Sequence, residues 1–310
     1  MNAPAQTGDP MPGNALQIWL SAARPKTLPA GVAPVVVGTA IALSHGAVHW
    51  ASALCALLGA VLIQVGANYA NDYSDFVKGA DTAERVGPTR ATQAGLVSPA
   101  AMRNAAVLTF ALAFLPGAYI VHRGGWPFVV IGVLAILCGV LYTAGPYPLG
   151  YVGVADLFVL IFFGPVAVCG TYYLQAHRLP ADVIISALGP GLLSVALLTV
   201  NNLRDVDEDR RAAKKTLAVR FGRTFARAEY VACLLVAALA VPVYLLLSTG
   251  RLLFLLVPLV VLVVAAPTIV TVLTATGGPA LNRALAATGR LLLIFSAVFS
   301  LAWLLDYWRT

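Results

Sequence analysis

Two short stretches of the chain concentrate oxygen-donor side chains at helical spacing. Gln64, Asn68, Asn71, Asp72 and Asp75 recur at i, i+4, i+7, i+8 and i+11, which sets them on one narrow stripe of a helix. Asn201, Asp205 and Asp209 recur at i, i+4 and i+8 and make a second stripe, flanked by Asn202 and Glu208, with Asp207 turned away. Asp81 and Glu84 continue the first stretch, so that eight of the 13 acids fall in these two places. Carboxylates gathered in one cavity repel each other and need a cation to settle them. Mg²⁺ suits such a set: it takes oxygen ligands and is held through one or two carboxylates plus substrate phosphates. The pattern therefore predicts a diphosphate held between two metal-bearing clusters. Asp72, Asp75, Asp205 and Asp209 are the expected ligands, with Asn68, Asn71 and Asn201 as amide donors. Lys78, Arg204, Arg210, Lys214 and Lys215 are placed to bind phosphoryl oxygens.

The elements that position these stripes are apolar. Of 310 residues, 60% are hydrophobic and 11% charged, against about 25% charged in a soluble domain. A bilayer is the solvent that fits this composition. Nine segments approach the 20 or so apolar residues that a spanning helix needs: Leu28–Ser44, Trp50–Ala70, Asn104–Val121, Trp126–Gly145, Tyr151–Gln175, Val183–Leu203, Tyr230–Ser248, Leu252–Thr274 and Leu285–Leu305. Only two carry a charge, Asp156 and Arg290. Both stripes begin inside apolar helix, where a charge costs about 2.5–3.5 kcal/mol at the bilayer centre. That cost argues against solvated loop charges and for a shared polar cavity.

The net charge of +7 reflects membrane orientation, with no nucleic-acid partner implied. The N-terminal stretch and the connections on the same side as both acid clusters carry 16 of the 20 Lys and Arg, which places that side in the cytoplasm. Residues 1–17 contain no apolar core and are expected to form a disordered cytoplasmic tail, followed by one transmembrane domain over 18–310. Cys55, Cys138, Cys169 and Cys233 sit singly in apolar segments and are expected as small buried side chains. The expected fold is all-α and polytopic, about nine transmembrane helices around a cytoplasm-facing cavity.

At these residues the chain resembles the UbiA superfamily of intramembrane prenyltransferases. The likeness rests on Asn71-Asp72-x-x-Asp75 after the second segment and Asp205-x-x-x-Asp209 after the sixth. Further support comes from Ala23–Pro29, Tyr142–Pro148, Gly170–Tyr173 and Lys215–Ala218. Within the superfamily, these strings resemble the menaquinone-pathway branch acting on 1,4-dihydroxy-2-naphthoate. The first motif departs from the family pattern at Gly79, where a third Asp is common; Asp81 lies two residues on.

The resemblance implies Mg²⁺-dependent transfer of a polyprenyl group from polyprenyl diphosphate to the naphthoate, with loss of its carboxylate, at the plasma membrane. Tyr142, Tyr147, Tyr172 or Tyr173 would then face an allylic cation. Arg24 or Lys26 would hold the acceptor carboxylate, and Asp156, an intramembrane acid, would bind or deprotonate the acceptor. Asn202 and Asp81 are left without a defined part. His45, His49, His122 and His177 fall on exterior connections and are set aside. The alternatives are another aromatic acceptor, 4-hydroxybenzoate or homogentisate, or a cation transporter, which would carry acids near mid-membrane and inverted repeats.

Overall fold

The computed structural model describes residues 14–79, 87 and 90–307. Asp81 and Glu84 lie outside the described residues, as does the expected tail up to residue 13. Helix α1 (Ala15–Ala22) starts inside the stretch expected to be disordered, with the Asn14 side chain accepting from Gln17 N at 2.9 Å.

No strand occurs among the described residues. Helices α3 (Trp50–Val77), α4 (Pro99–Gly124), α7 (Ala155–Ala176), α8 (Ala181–Arg204), α10 (Leu217–Thr249), α11 (Leu252–Thr274) and α12 (Gly278–Tyr307) are seven that are long and apolar enough to cross a membrane. Two more, α2 (Pro29–Ser44) and α5 (Pro127–Leu141), are apolar but shorter. One-turn α6 (Leu149–Val152) and α9 (Val206–Arg211) stand at the polar end of the bundle.

Local chemistry sets the boundaries. Proline opens α2, α4 and α5, where its fixed φ suits the first turn and its missing N–H costs nothing. Ser98 and Thr216 cap α4 and α10 by accepting from Ala101 N at 3.2 Å and Val219 N at 3.3 Å. The fifth expected segment starts later than its hydropathy suggests, because Gly153 takes φ +77° and separates α6 from α7.

Helix α3 runs 28 residues without a break, roughly 42 Å at 1.5 Å per residue. That exceeds the ~30 Å hydrocarbon core, so its last turns carry the first acid stripe to the membrane boundary as continuous helix. Helix α8 forms the centre of the bundle, buried along most of its length against α2, α7, α10 and α12. On α4 and α5, Leu108, Leu115, Val130 and Leu134 are exposed outside the bundle and supply an apolar outer surface. Between Phe162 and Cys169, α7 widens into a π-type turn around Pro165, whose ring removes an amide donor.

With lipid as solvent, helix association depends on close packing of small residues. A Cβ on Gly38 of α2 would sit 2.6 Å from the Val168 carbonyl oxygen of α7, so the two backbones touch there. A smaller cluster of Ala22, Ala91, Val97 and Met102, joined by Trp19 and Tyr69, fastens the 90–97 turn against α1 and the end of α3.

Gly38→Val is expected to cost about 1–3 kcal/mol by overpacking. A lower melting temperature in detergent checks this, and an unchanged one would mean that α2 and α7 are not in backbone contact.

Candidate active site

A cavity of about 1000 Å³ opens among α2, α3, α4, α5, α7 and α8. Its wall is graded. Gly59, Ile63, Gly117, Ile136, Phe162 and Leu198 line the apolar length; Asn68, Asn71, Asp75, Asn201, Asn202, Asp205, Glu208, Asp209 and Lys214 line one end. The α3 residues facing it run from Ala56 to Asp75, a rise of roughly 28 Å along the helix. The cavity therefore extends through most of the hydrocarbon depth from a polar end.

The first cluster is held by residues about twenty positions further along. Asp72 is buried and accepts from the backbone amides of Ala91 at 3.2 Å and Thr92 at 3.1 Å. This bonding takes it off the cavity wall. Asp75 does reach the wall, and Arg90 Nη2 donates to its Oδ2 at 2.7 Å. Asn71 Oδ1 accepts from Thr143 Oγ1 at 2.9 Å, and Asn68 Nδ2 donates to the Ala23 carbonyl at 2.9 Å. Lys78, just past α3, donates to the Gly145 carbonyl at 2.9 Å.

The second cluster straddles a one-residue break at Asp205, between α8 and α9, which leaves the helical spacing nearly intact: Asp209 N still donates to Asp205 O at 2.8 Å. Arg204 grips Asp205 through two donors at 2.6 Å each and Asn201 Oδ1 at 2.8 Å. Its third contact is Asn282 on α12 at 2.9 Å. Lys214 Nζ pairs with Asp209 at 3.3 Å. Asp207 is exposed and pairs with Arg223 at 2.7 Å, away from the stripe.

The two clusters share one electrostatic environment. Burial lowers the proton affinity of Lys214, but Asp209 from the second cluster and Asp75 from the first outweigh it and hold the ammonium above its ordinary value. Asp209 is pushed up to about 6, first by burial and then by Asp205 and Glu208, with Lys214 opposing. The Tyr151 ring lies 5.2 Å from Lys78 Nζ and 5.0 Å from Lys214 Nζ. Every acidic or amide donor at this end is an oxygen, the donor set that Mg²⁺ takes. Among the described residues no three acids or imidazoles stand close enough to hold a metal unaided.

The other expected site residues separate. Tyr142 lines the cavity, whereas Tyr147 is 81% exposed. Tyr172 is bonded through its hydroxyl to His45 Nδ1 at 2.8 Å and Tyr173 stacks on Phe128, so neither reaches the wall. Arg24 lines the cavity from a left-handed backbone conformation, φ +56°, and its carbonyl accepts from Thr27. Lys26, Lys78, Asp156, Arg204, Arg210 and Lys215 do not line it, so that of the five cations expected to bind phosphoryl oxygens only Lys214 does. Asp156 is buried, and neither of its oxygens meets a hydrogen-bonding side chain. His122 appears at the opposite end of the cavity, while His45 takes part in a separate network with Asp182 at 3.6 Å. Sequence reading overlooked Arg90, Thr143 and Tyr151. Arg90 figured only as one cation among many in a basic loop; its burial distinguishes it, and burial is a tertiary property.

Asp72→Asn replaces one accepting oxygen by an NH₂ group that must face an amide N–H. Hydrogen exchange at Ala91 and Thr92 should accelerate by about tenfold or more, the equivalent of roughly 1–3 kcal/mol for an unmet buried donor. Unchanged exchange would show that these bonds do not hold the turn. The Asp209 carboxyl, whose ordinary value is 3.8, should titrate near 6 in metal-free protein by carboxyl NMR. Its folded value lies above its unfolded one, so this group favours the fold below about pH 4 and loses that contribution by pH 6. A titration near 4 would contradict its burial.

Comparison with known proteins extends the geometry. The profile of the UbiA prenyltransferase family matches residues 31–285. The 1,4-dihydroxy-2-naphthoate octaprenyltransferase of Escherichia coli is 43% identical over 229 residues, covering 72% of this chain and 74% of that protein. The protein of the same name from Mycobacterium tuberculosis is 46% identical over 220 residues, covering 71% and 75%. The solved structure of a UbiA homolog from Archaeoglobus fulgidus bound to GPP and Mg²⁺ superposes with a TM-score of 0.67. It has 16% identity, and the match covers 93% of this chain and 99% of that one. The fold, the paired acid clusters at one end of an apolar cavity and the match over most of the length agree: this chain is an integral membrane protein of the UbiA prenyltransferase family.

Proposed function

We propose that the chain transfers a polyprenyl group from polyprenyl diphosphate to 1,4-dihydroxy-2-naphthoate, releasing diphosphate and CO₂ and giving demethylmenaquinol. The single observation that carries this reading is one continuous cavity with both acid clusters at its polar end and an apolar wall beyond. A diphosphate belongs at the first and a prenyl tail along the second. Two relatives at 43% and 46% identity bear the name of this activity, which supports the naphthoate as acceptor.

In this reading Asp75, Asp205 and Asp209, with the amides of Asn68, Asn71 and Asn201, would hold Mg²⁺, while Asp72, turned from the cavity, fixes the backbone at Ala91 and Thr92. The metal supplies charge neutralisation to the departing diphosphate. Lys214 and Arg90 already lie at the cavity, and each is paired with a carboxylate, Asp209 and Asp75. A diphosphate therefore enters a site where cations are in place and oriented. Lys78, Arg204, Arg210 and Lys215 add positive charge around them. Cleavage of the prenyl C–O bond leaves an allylic cation, and the apolar wall keeps water from it. The Tyr142 ring, on that wall, offers its face to the cation.

Arg24 is assigned to the acceptor carboxylate. It lines the same cavity, and Asn68 anchors the preceding carbonyl. The new bond joins the prenyl carbon to the ring carbon that carries the carboxylate, and the electrons of the broken C–C bond restore the aromatic ring as CO₂ leaves. No ring proton has to be removed, so the reaction does not require Asp156 as a base. The Lys/Arg asymmetry supports a polar end on the cytoplasmic side, and this reading takes the membrane to be the plasma membrane.

The test is incubation of purified protein with labelled prenyl diphosphate and 1,4-dihydroxy-2-naphthoate. Product should form with Mg²⁺ and vanish with EDTA. Asp75→Asn and Asp205→Asn should each lower kcat by at least about 10²-fold, in the range seen when preorganised charge stabilisation is lost. Product formed equally well in EDTA, or transfer to 4-hydroxybenzoate in preference to the naphthoate, would overturn the assignment.

A further inference from the structure

We infer that Tyr151 is a positioning residue whose ring face sets Lys78 and Lys214, one cation from each acid cluster, toward a shared diphosphate. This rests on the prenyl diphosphate reading above and extends it to a residue with no charge of its own.

Two ammonium groups of like sign converge on one ring, at 5.2 and 5.0 Å from its centre. Their nitrogens are thus about 10 Å apart at most. Like charges at this range disfavour each other, and the negative face of an aromatic ring draws a cation within about 6 Å. Tyr151 and Lys214 line the cavity and Lys78 stands just outside its lining, so the ring borders the space where the diphosphate would lie and joins the two. Each lysine has one further anchor: Lys78 on the Gly145 carbonyl at 2.9 Å, Lys214 on Asp209 at 3.3 Å. The ring is what the two have in common.

The segment carrying Tyr151 is fixed independently to the second cluster. Lys215 N donates to the Tyr151 carbonyl at 2.8 Å, and Arg220 Nη2 donates to the Val152 carbonyl at 2.7 Å. A Cβ on Gly153 would lie 2.5 Å from the Lys215 carbonyl oxygen, so the backbones meet directly. The same connection reaches the first cluster through Thr143, which donates to Asn71. The 142–153 connection therefore braces both acid-bearing ends, with Tyr151 on the cavity side.

The experiment places phenylalanine, then mono-, di- and trifluorophenylalanine, at position 151 of the full chain and measures the Kd of inorganic diphosphate with Mg²⁺ present. Shape is nearly constant along the series while the ring face loses negative charge, so folding is not in question. The Kd for diphosphate should rise stepwise, about tenfold from phenylalanine to the trifluoro ring, the scale of a desolvated cation–π contact. The KM for 1,4-dihydroxy-2-naphthoate should stay level. A flat diphosphate series, with the unsubstituted chain binding diphosphate, overturns the role of Tyr151 and leaves the prenyl diphosphate reading standing. A chain that does not bind diphosphate in any form overturns both.

Discussion

Carboxylates buried at a membrane boundary constrain everything else in this protein. Asp72, Asp75, Asp205 and Asp209 are each at least 94% buried, and none can keep its charge there without partners. The chain meets the requirement in different ways. Asp72 accepts two backbone amides; Asp75 and Asp205 take arginines at 2.7 and 2.6 Å. Asp209 is least satisfied, with a lysine at 3.3 Å and two acidic neighbours that hold its proton affinity up. These pairings also place the cations. Arg90 and Lys214 line the cavity while each is paired with a carboxylate, so the acids and the cations are held at one end together.

The second feature that follows is the gradient along the cavity. Prenyl transfer creates a cation that water would capture, and membrane helices provide a dry wall at little cost because their surroundings are already apolar. The polar end is confined to the last turns of α3 and to the α8–α9 junction. That confinement also separates this chain from a cation transporter, for which acidic sites near the bilayer midplane are expected. Within the apolar wall, Gly117 and Gly132 have nothing within reach of an added Cβ and face open space, which leaves room for a flexible hydrocarbon.

Packing holds the two ends in register. Helix α8 is buried against four neighbours and delivers Asn201, Asn202 and Arg204 from the centre of the bundle. Helix α3 is more peripheral, and its acid end depends on the 90–97 turn, itself fixed by a small cluster under α1. The first motif is thus assembled from residues distant in sequence, while most of the second motif's contacts are local.

Sequence alone settled the solvent, the helical class and the two acid stripes. Apolar runs of spanning length, and acids and amides repeated every three or four positions, carry their meaning in one dimension. The strings from Ala23 to Ala218 likewise resembled the family to which the chain belongs. Helix limits were less legible: α10 begins at Leu217, well before the expected Tyr230, because a polar amphipathic start does not register as hydropathy. Which side chains face the cavity was decided only by the tertiary structure. Asp72 turns to backbone amides, Asp156 is buried beside the cavity without lining it, and Tyr172 is bound to His45. Arg90 and Tyr151 gain their importance from neighbours that lie 15 or more positions away. A residue's type and spacing fix what it is able to do; its burial and partners are set by helices that meet only when the chain has folded.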